Sequence, residues 1–216
     1  MTVVIRRAHA GDADFVAWTI LAAQRGHLRR GWFDIALDRP EPECLAFVRQ
    51  IALSPTRSWC HVSHFFIAEV DGQSAAALCA LPVSGAIAAL RAAIAEAASA
   101  LRFGAAEEAK LWLRGAYAAH CWMRGELDAW MIEHVATKPE RRGRGLASAL
   151  LAQAMAVGAG DGYKRAQITF YIGNDAAERS YAKAGFGFAE ESRHAEFEAL
   201  TGAPGFRRYA TDLTGA

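Results

Sequence analysis

The stretch from Leu127 to Ser192 constrains the fold more than any other part of the chain. The apolar run LDAWMIEHVATK is stopped by Pro139, and a few residues later the chain passes through Gly143 and Gly145 into an Ala/Leu-rich helix reaching about Val157. A Gly-rich loop, the short apolar strand KRAQITFYI, the short helical segment NDAAERSYAKAGF and the strand FGFAEES follow in turn. Strand, helix, strand, helix, strand in that order favours parallel pairing through helical crossovers. The first half follows a different pattern. TVVIRRA is β-branched, Asp12 stands where it can cap a helix over FVAWTILAAQ, and PEPECLAFVRQIAL predicts a second helix from Pro40 to Leu53. CHVSHFFIAEV and SAAALCALPV flank Asp71-Gly72, a pair that tolerates positive φ, and so predict an antiparallel hairpin. PGFRRYATDL adds a last strand. The expected class is α/β: one twisted mixed sheet with helices on both faces.

With 216 residues, of which 53% are apolar, the chain can bury a sizeable core, and a single domain over 1–216 is expected. The segment from Gly85 to Met123 reads as a helical insertion into it. Ile87, Leu90, Ile94 and Leu101 share one helical face, Arg91 lies near the opposite side, and Gly104 breaks the run into two helices. Trp112, Tyr117 and Trp122 supply aromatic bulk foreign to a solvated linker. A formal net charge of +1 gives no global field, so nucleic acid is not an expected partner and any anion site must be local. No cationic leader opens the sequence and no run of about 18 apolar residues interrupts it, which predicts a cytoplasmic protein with no membrane partner.

Cys44, Cys60, Cys79 and Cys121 lie far apart without a C-x-x-C pair, as expected of reduced core thiols. His61 and His64, read as strand residues, point to opposite sides, and no metal is expected. His120-Cys121 lacks the glycine-framed turn of a nucleophile and reads as helix packing. The cationic stretch His27-Leu28-Arg29-Arg30 is expected to close the first helix, where cations favour the dipole.

The chemistry concentrates at Arg142-Gly143-Arg144-Gly145-Leu146-Ala147. A helix start leaves about four N–H groups without intrahelical partners and carries roughly half a positive charge. Glycines at 143 and 145 let an oxyanion approach the backbone, Arg142 and Arg144 can neutralise it, and Ala147 keeps the first turn slim. Several converging N–H groups suit a pyrophosphate better than a single carboxylate. A Walker loop requires G-x-x-x-x-G-K-[ST] and a dinucleotide loop G-x-G-x-x-G; neither is present, since Ser148 stands where the third glycine belongs.

The run Arg142 to Ala147, after a strand ending VATKPE, resembles the acyl-CoA pyrophosphate loop of the GNAT superfamily of N-acyltransferases, R/Q-x-x-G-x-G/A. NDAAERSYAKAGF, Asn174 to Phe186, is similar to that family's next motif, N-x-x-A-x-x-x-Y-x-K-x-G-F. The resemblance implies a GNAT-like fold in which the 85–123 helices are inserted before the fourth core strand. It also implies acetyl-CoA as acyl donor, no metal, and a pantetheine arm held between two splayed strands by the main chain of Val135, Ala136 and Thr137. A small-molecule or peptide amine is the implied acceptor; the insertion would wall the acceptor cleft or form a homodimer contact.

The implied reaction is direct attack of a primary amine on the thioester through a tetrahedral intermediate, stabilised by a strand N–H. Tyr181 matches the family's tyrosine near the cofactor sulfur and is the expected general acid; packing of its helix on the sheet is the competing role. Asn174 would anchor the arm or serve as a helix N-cap, and the two are compatible. For the base, Glu133 and His134 are neighbours on a strand whose side chains should face opposite ways. Glu133 is preferred because it shares parity with Val135 and Thr137, and His134 is the runner-up. The rival function is a non-catalytic acyl-CoA sensor that keeps the loop without turnover.

Overall fold

The computed structural model describes residues 2–84 and 86–213, with the side chains of 86–88 left aside, so the packing expected of Ile87 lies outside the described residues. Seven strands form one sheet: β1 (Val3–Arg7), β2 (Phe65–Val70), β3 (Gln73–Pro82), β4 (Trp130–Thr137), β5 (Arg165–Tyr171), β6 (Gly187–Arg193) and β7 (Gly205–Asp212). Their order across the sheet is β1-β2-β3-β4-β5-β7-β6. The β2–β3 turn is the expected hairpin, with Asp71 at φ 51° and Gly72 at φ 78°, the two left-handed residues of a turn whose twist matches the strands.

Only β4 and β5 run parallel; β7 lies between β5 and β6 and is antiparallel to both. The parallel run expected from strand–helix alternation therefore stops after one crossover. The last strand fills the place beside β5 and leaves β6, whose side chains are largely exposed, at the sheet edge. β6 could not have been buried on both faces as a central parallel strand requires, because GFAEESR is mostly polar.

One face of the sheet is covered by α1 (Ala13–Arg25), α3 (Glu41–Ala52), α4 (Ala86–Ala100) and α5 (Ala105–Gly115), with Val16, Ile20, Phe47, Ile51, Ile94 and Leu111 at the centre of that core. The other is covered by α6 (Leu146–Gly160) and α7 (Asp175–Lys183), through Leu150, Leu151, Ala154 and Tyr181. The two inserted helices break at Gly104 as expected, and Gly104 is the N-cap of α5. The first helix, however, ends at Arg25 rather than in the His27–Arg30 stretch, and a further helix, α2 (Trp32–Leu37), follows. Asp12 caps α1 without a side-chain bond to its N–H groups, because its carboxylate is taken by Arg6 at 2.8 Å and by the His9 N–H at 2.9 Å. His61 and His64 do not lie on a strand: residues 62–64 form a 3-10 turn just before β2, whose three-residue period brings the two rings to 6.2 Å. A final helix, α8 (Ala195–Thr201), precedes β7. No helix among the described residues is long and apolar enough to cross a membrane.

α6 sits unusually close to the sheet at Gly158, where a Cβ would come within 2.7 Å of the Trp130 ring on β4. Gly158→Ala should therefore destabilise the protein by about 1–3 kcal/mol through overpacking, despite alanine's better helix propensity. Urea unfolding measures it; an unchanged or raised midpoint would show that the helix can retreat freely.

Candidate active site

The site begins where the sheet fails to close. β4 and β5 pair only over Trp130–Ile132 and Ala166–Ile168; from Glu133 and Thr169 onward the two strands part. On its other side β4 stays paired with β3, and Lys138 N–H donates to Ala75 at 2.8 Å. Residues of an antiparallel strand alternate the side to which their N–H and C=O point, so Thr137, and Val135 two residues back, turn these groups toward the gap.

A bulge interrupts β4 in the same place. Ala77 faces Ala136 and Cys79 faces Glu133, so the single Leu78 stands opposite both His134 and Val135, and His134 takes φ 53°. The additional residue resets the parity of the strand. Glu133 lies across from Cys79, and His134 packs on Phe65 and Cys60; all three neighbours belong to the core under α1 and α3, whereas Val135 belongs to the core under α6. Contrary to the sequence expectation, Glu133 and His134 share a face, and Glu133 does not share one with Val135. An alternation rule cannot reveal a left-handed histidine.

The two side chains differ in character. His134 is 5% exposed, its ring lies parallel to that of Phe65 with centroids 6.1 Å apart, and its Nε2 is 3.6 Å from Cys60 Sγ. Burial lowers its pKa to about 4, so it is neutral at physiological pH. Glu133 also suffers from burial, which pushes its carboxyl up to about 8, and no hydrogen bond or cation among the described residues offsets the shift. Tyr181, on α7, is nearly buried with its ring edge on Phe170; burial first and the Glu133 charge second push its pKa upward. Its hydroxyl donates to no protein group among the described residues, in contrast to Tyr209, which bonds Glu178.

At the mouth of the gap, residues 139–141 form a single 3-10 turn and Gly143 and Gly145 adopt φ 74° and 75°, leading into α6. Gly145 is the N-cap and offers no side-chain acceptor. Among the described residues no main-chain carbonyl accepts from the N–H groups of Gly143, Gly145, Leu146 or Ala147; the first helical bond is Ala149 to Gly145 at 3.0 Å. A Cβ at either glycine would meet nothing within 4 Å, so the space above the loop is open. Arg141, Arg142, Arg144 and Lys183 border it. Asn174 accepts from Ala177 N–H at 3.2 Å as the N-cap of α7 and keeps its NH2 as a donor.

Every catalytic or cofactor-binding candidate read from the sequence, from Glu133 to Thr137, from Arg142 to Ala147, and Asn174 and Tyr181, lines one cavity of about 1370 Å³. That exceeds the roughly 300–1,000 Å³ of a pocket for one drug-sized ligand and suits two reactants. Trp112 of α5, noted in the sequence as bulk of the insertion, joins the lining, and residues unnoticed in the sequence complete it: Trp32 of α2, Gln167 of β5 and Arg208 of β7. Trp32 donates to Gly115 at 2.9 Å and lies 6.2 Å from Trp112, which ties the insertion to the cavity wall. Only the helical spacing of WFDIAL could have flagged α2, and nothing local marks Gln167 or Arg208.

A sheet split between its two parallel strands, with a glycine-arginine turn opening the split, is the architecture of an acetyltransferase. A family model described as Acetyltransferase (GNAT) family matches residues 31–186, well over half of the sequence, and the chain belongs to that family. Among solved structures, one acetyltransferase superposes with a TM-score of 0.71 at 16% identity, covering 98% of this chain and 100% of that one. An N-acetyltransferase from Staphylococcus aureus Mu50 does so with a TM-score of 0.67 at 18% identity, covering 96% and 100%. N-acetylglutamate synthase from Neisseria gonorrhoeae, complexed with coenzyme A and N-acetyl-glutamate, gives 0.51 at 17% identity, covering 99% of this chain and 36% of its own. At such identities the likeness is one of fold. No curated protein matches the sequence.

Proposed function

We propose that this protein transfers an acetyl group from acetyl-CoA to the primary amine of a small molecule or peptide. The observation that carries the reading is the coincidence, in one cavity, of a main-chain edge left unpaired by the β4–β5 split and a helix start at which the N–H groups of Gly143, Gly145, Leu146 and Ala147 have no main-chain acceptor among the described residues. The first matches an amide-bearing arm and the second a pyrophosphate. Acyl-CoA carries both, and the gonococcal synthase of like fold was solved with coenzyme A.

In this reading the diphosphate sits on the N–H groups of residues 143–147, with Arg142 and Arg144 beside it, and the arm runs along Val135, Ala136 and Thr137 toward Glu133. Asn174 adds its NH2 group to the arm. The amine nitrogen attacks the thioester carbon, forming the C–N bond, and a β4 N–H stabilises the oxyanion. Glu133 takes the proton from nitrogen; its raised pKa makes it a stronger base than an ordinary carboxylate. The C–S bond then breaks and Tyr181, which lines the cavity, protonates the departing thiolate through its hydroxyl. His134, neutral, stacked and in contact with Cys60, has a packing role. No step requires a metal.

Tyr181→Phe tests the acid. We expect kcat to fall by about 10- to 1,000-fold while coenzyme A binding measured by calorimetry is unchanged. Unaltered kcat would remove Tyr181 from the reaction. A protein that binds acetyl-CoA but releases no free thiol with any member of a broad amine panel would be a sensor rather than an enzyme.

A further inference from the structure

We propose that the acceptor is an amino carboxylic acid with an apolar, preferably aromatic, body, and that Arg208 with Gln167 and Arg124 receives its carboxylate. The proposal rests on the acyltransfer reading above and goes beyond it to the substrate class.

The first observation is the charge of the cavity. Among the described residues lining it, Glu133 is the sole carboxylate, and it stands at the reaction centre. Away from the phosphate loop the lining carries Arg91 of α4, Arg124 and Arg208. A polyamine or other dication would bring its second charge against like charges there, with no acid to receive it. An anionic group would find partners.

The second observation, independent of the first, is the state of Arg208. It is 8% exposed, and although its Nη2 reaches Glu190 at 3.0 Å, its Nε and Nη1 are buried with no acceptor among the described residues. Donors of a buried guanidinium left unmatched are costly and are rarely kept without a use. Gln167, 5% exposed, lies beside it on β5: Gly125 brings its backbone so close that a Cβ there would stand 2.7 Å from Arg208 Nη1 and 2.6 Å from Gln167 Nε2. Gln167 already receives the Glu126 N–H on its oxygen at 3.0 Å, so its amide oxygen is fixed and its NH2 group is the part left to donate. Arg124, adjacent in sequence to Gly125, borders the cavity at the same corner. A guanidinium and an amide donor converge there, with the Arg124 cation on the cavity border nearby, and a carboxylate is the complementary group.

Geometry relates this corner to the chemistry. Thr169 is opposite Arg208, and the β4–β5 register places Glu133 near the level of Thr169, so Glu133 and Arg208 project from one sheet face across three neighbouring strands. At about 4.8 Å per strand the separation at the backbone is on the order of 10 Å. Trp59, Trp112 and Trp122 wall the space and would enclose an apolar body joining amine to acid.

Three matched pairs test this: tryptophan with tryptamine, 4-(aminomethyl)benzoate with benzylamine, and 6-aminohexanoate with pentylamine. Each pair differs only in the carboxylate, and together they vary its distance from the amine. We expect that in at least one pair the acid is acetylated with a kcat/KM about 10- to 100-fold above its partner, the range of one or two charge-assisted bonds. Titrating the same compounds into the acyl-CoA-free protein by calorimetry should show tighter binding of the acid, a readout that does not depend on turnover. Arg208→Gln should erase the preference while leaving coenzyme A affinity intact. If that variant does not fold, Arg124→Gln, an exposed position, should reduce the preference several-fold. Equal or better use of the decarboxylated member in all three pairs overturns the proposal while leaving acyltransfer standing. Failure to bind coenzyme A at all would instead bring down the underlying function.

Discussion

Gly145→Val should reduce coenzyme A affinity by at least about a hundredfold and leave the protein folded. Residue 145 stands at φ 75°, where a β-branched side chain is a genuine outlier costing roughly 1–3 kcal/mol. That strain falls on the loop, because a Cβ there would touch no other part of the protein. The loss of affinity has a separate origin. The new methyl groups would occupy the open space above the N–H groups of 143–147, and displacing two charge-assisted hydrogen bonds at about 1.5–3 kcal/mol each accounts for two or more orders of magnitude. Gly145→Ala, with the same strain and less bulk, should fall between. Calorimetric titration together with a urea unfolding curve separates the two effects. Full affinity in a folded valine variant would show that the diphosphate binds elsewhere.

Glu133→Gln should lower kcat by about 100- to 10,000-fold and yet make the free protein more stable. Burial raises this carboxyl from an ordinary 4.5 to about 8. Between those pH values the folded protein retains a proton that the unfolded chain has released, so stability contributed by this residue falls as pH rises through the window. Glutamine removes that loss. The gain in thermal midpoint should therefore be greatest near pH 8 and vanish below about pH 4.5, where both states are protonated. Activity follows the opposite course: the carboxylate is the competent form, so kcat/KM of the native enzyme should climb through a midpoint near pH 8, and the variant should lack that rise. A glutamine variant as active as the native protein would transfer the role of base to water or to another group.

The glycine-arginine turn and the Tyr181 helix were legible in the sequence because their conformation is local. Glycines that need positive φ, an uncapped helix start and a tyrosine framed by a short helix all act within about a dozen residues. The Asp71-Gly72 hairpin was legible for the same reason. What depended on contacts between distant strands was not. The position of β7 beside β5 follows from how the last two strands pair, and the β4 bulge follows from one additional residue opposite Leu78. Both lie outside an alternating pattern, and the bulge reversed the facing of Glu133 relative to Val135. His61 and His64 were misplaced because HVSHFF reads on into the strand that begins at Phe65, whereas residues 62–64 form the 3-10 turn that brings the rings together. Arg208 and Gln167 gain their meaning only when β5 and β7 set them side by side under Gly125.

Titration of coenzyme A into the folded, monodisperse protein bears most directly on whether the split sheet and the loop form a seat for an acyl carrier. We expect saturable one-site binding with a dissociation constant between about 1 µM and 1 mM, the usual span for enzyme substrates, and its loss in Gly145→Val. Absence of any binding heat at several times the upper end of that span, with the fold intact by circular dichroism, would contradict the assignment of the cavity.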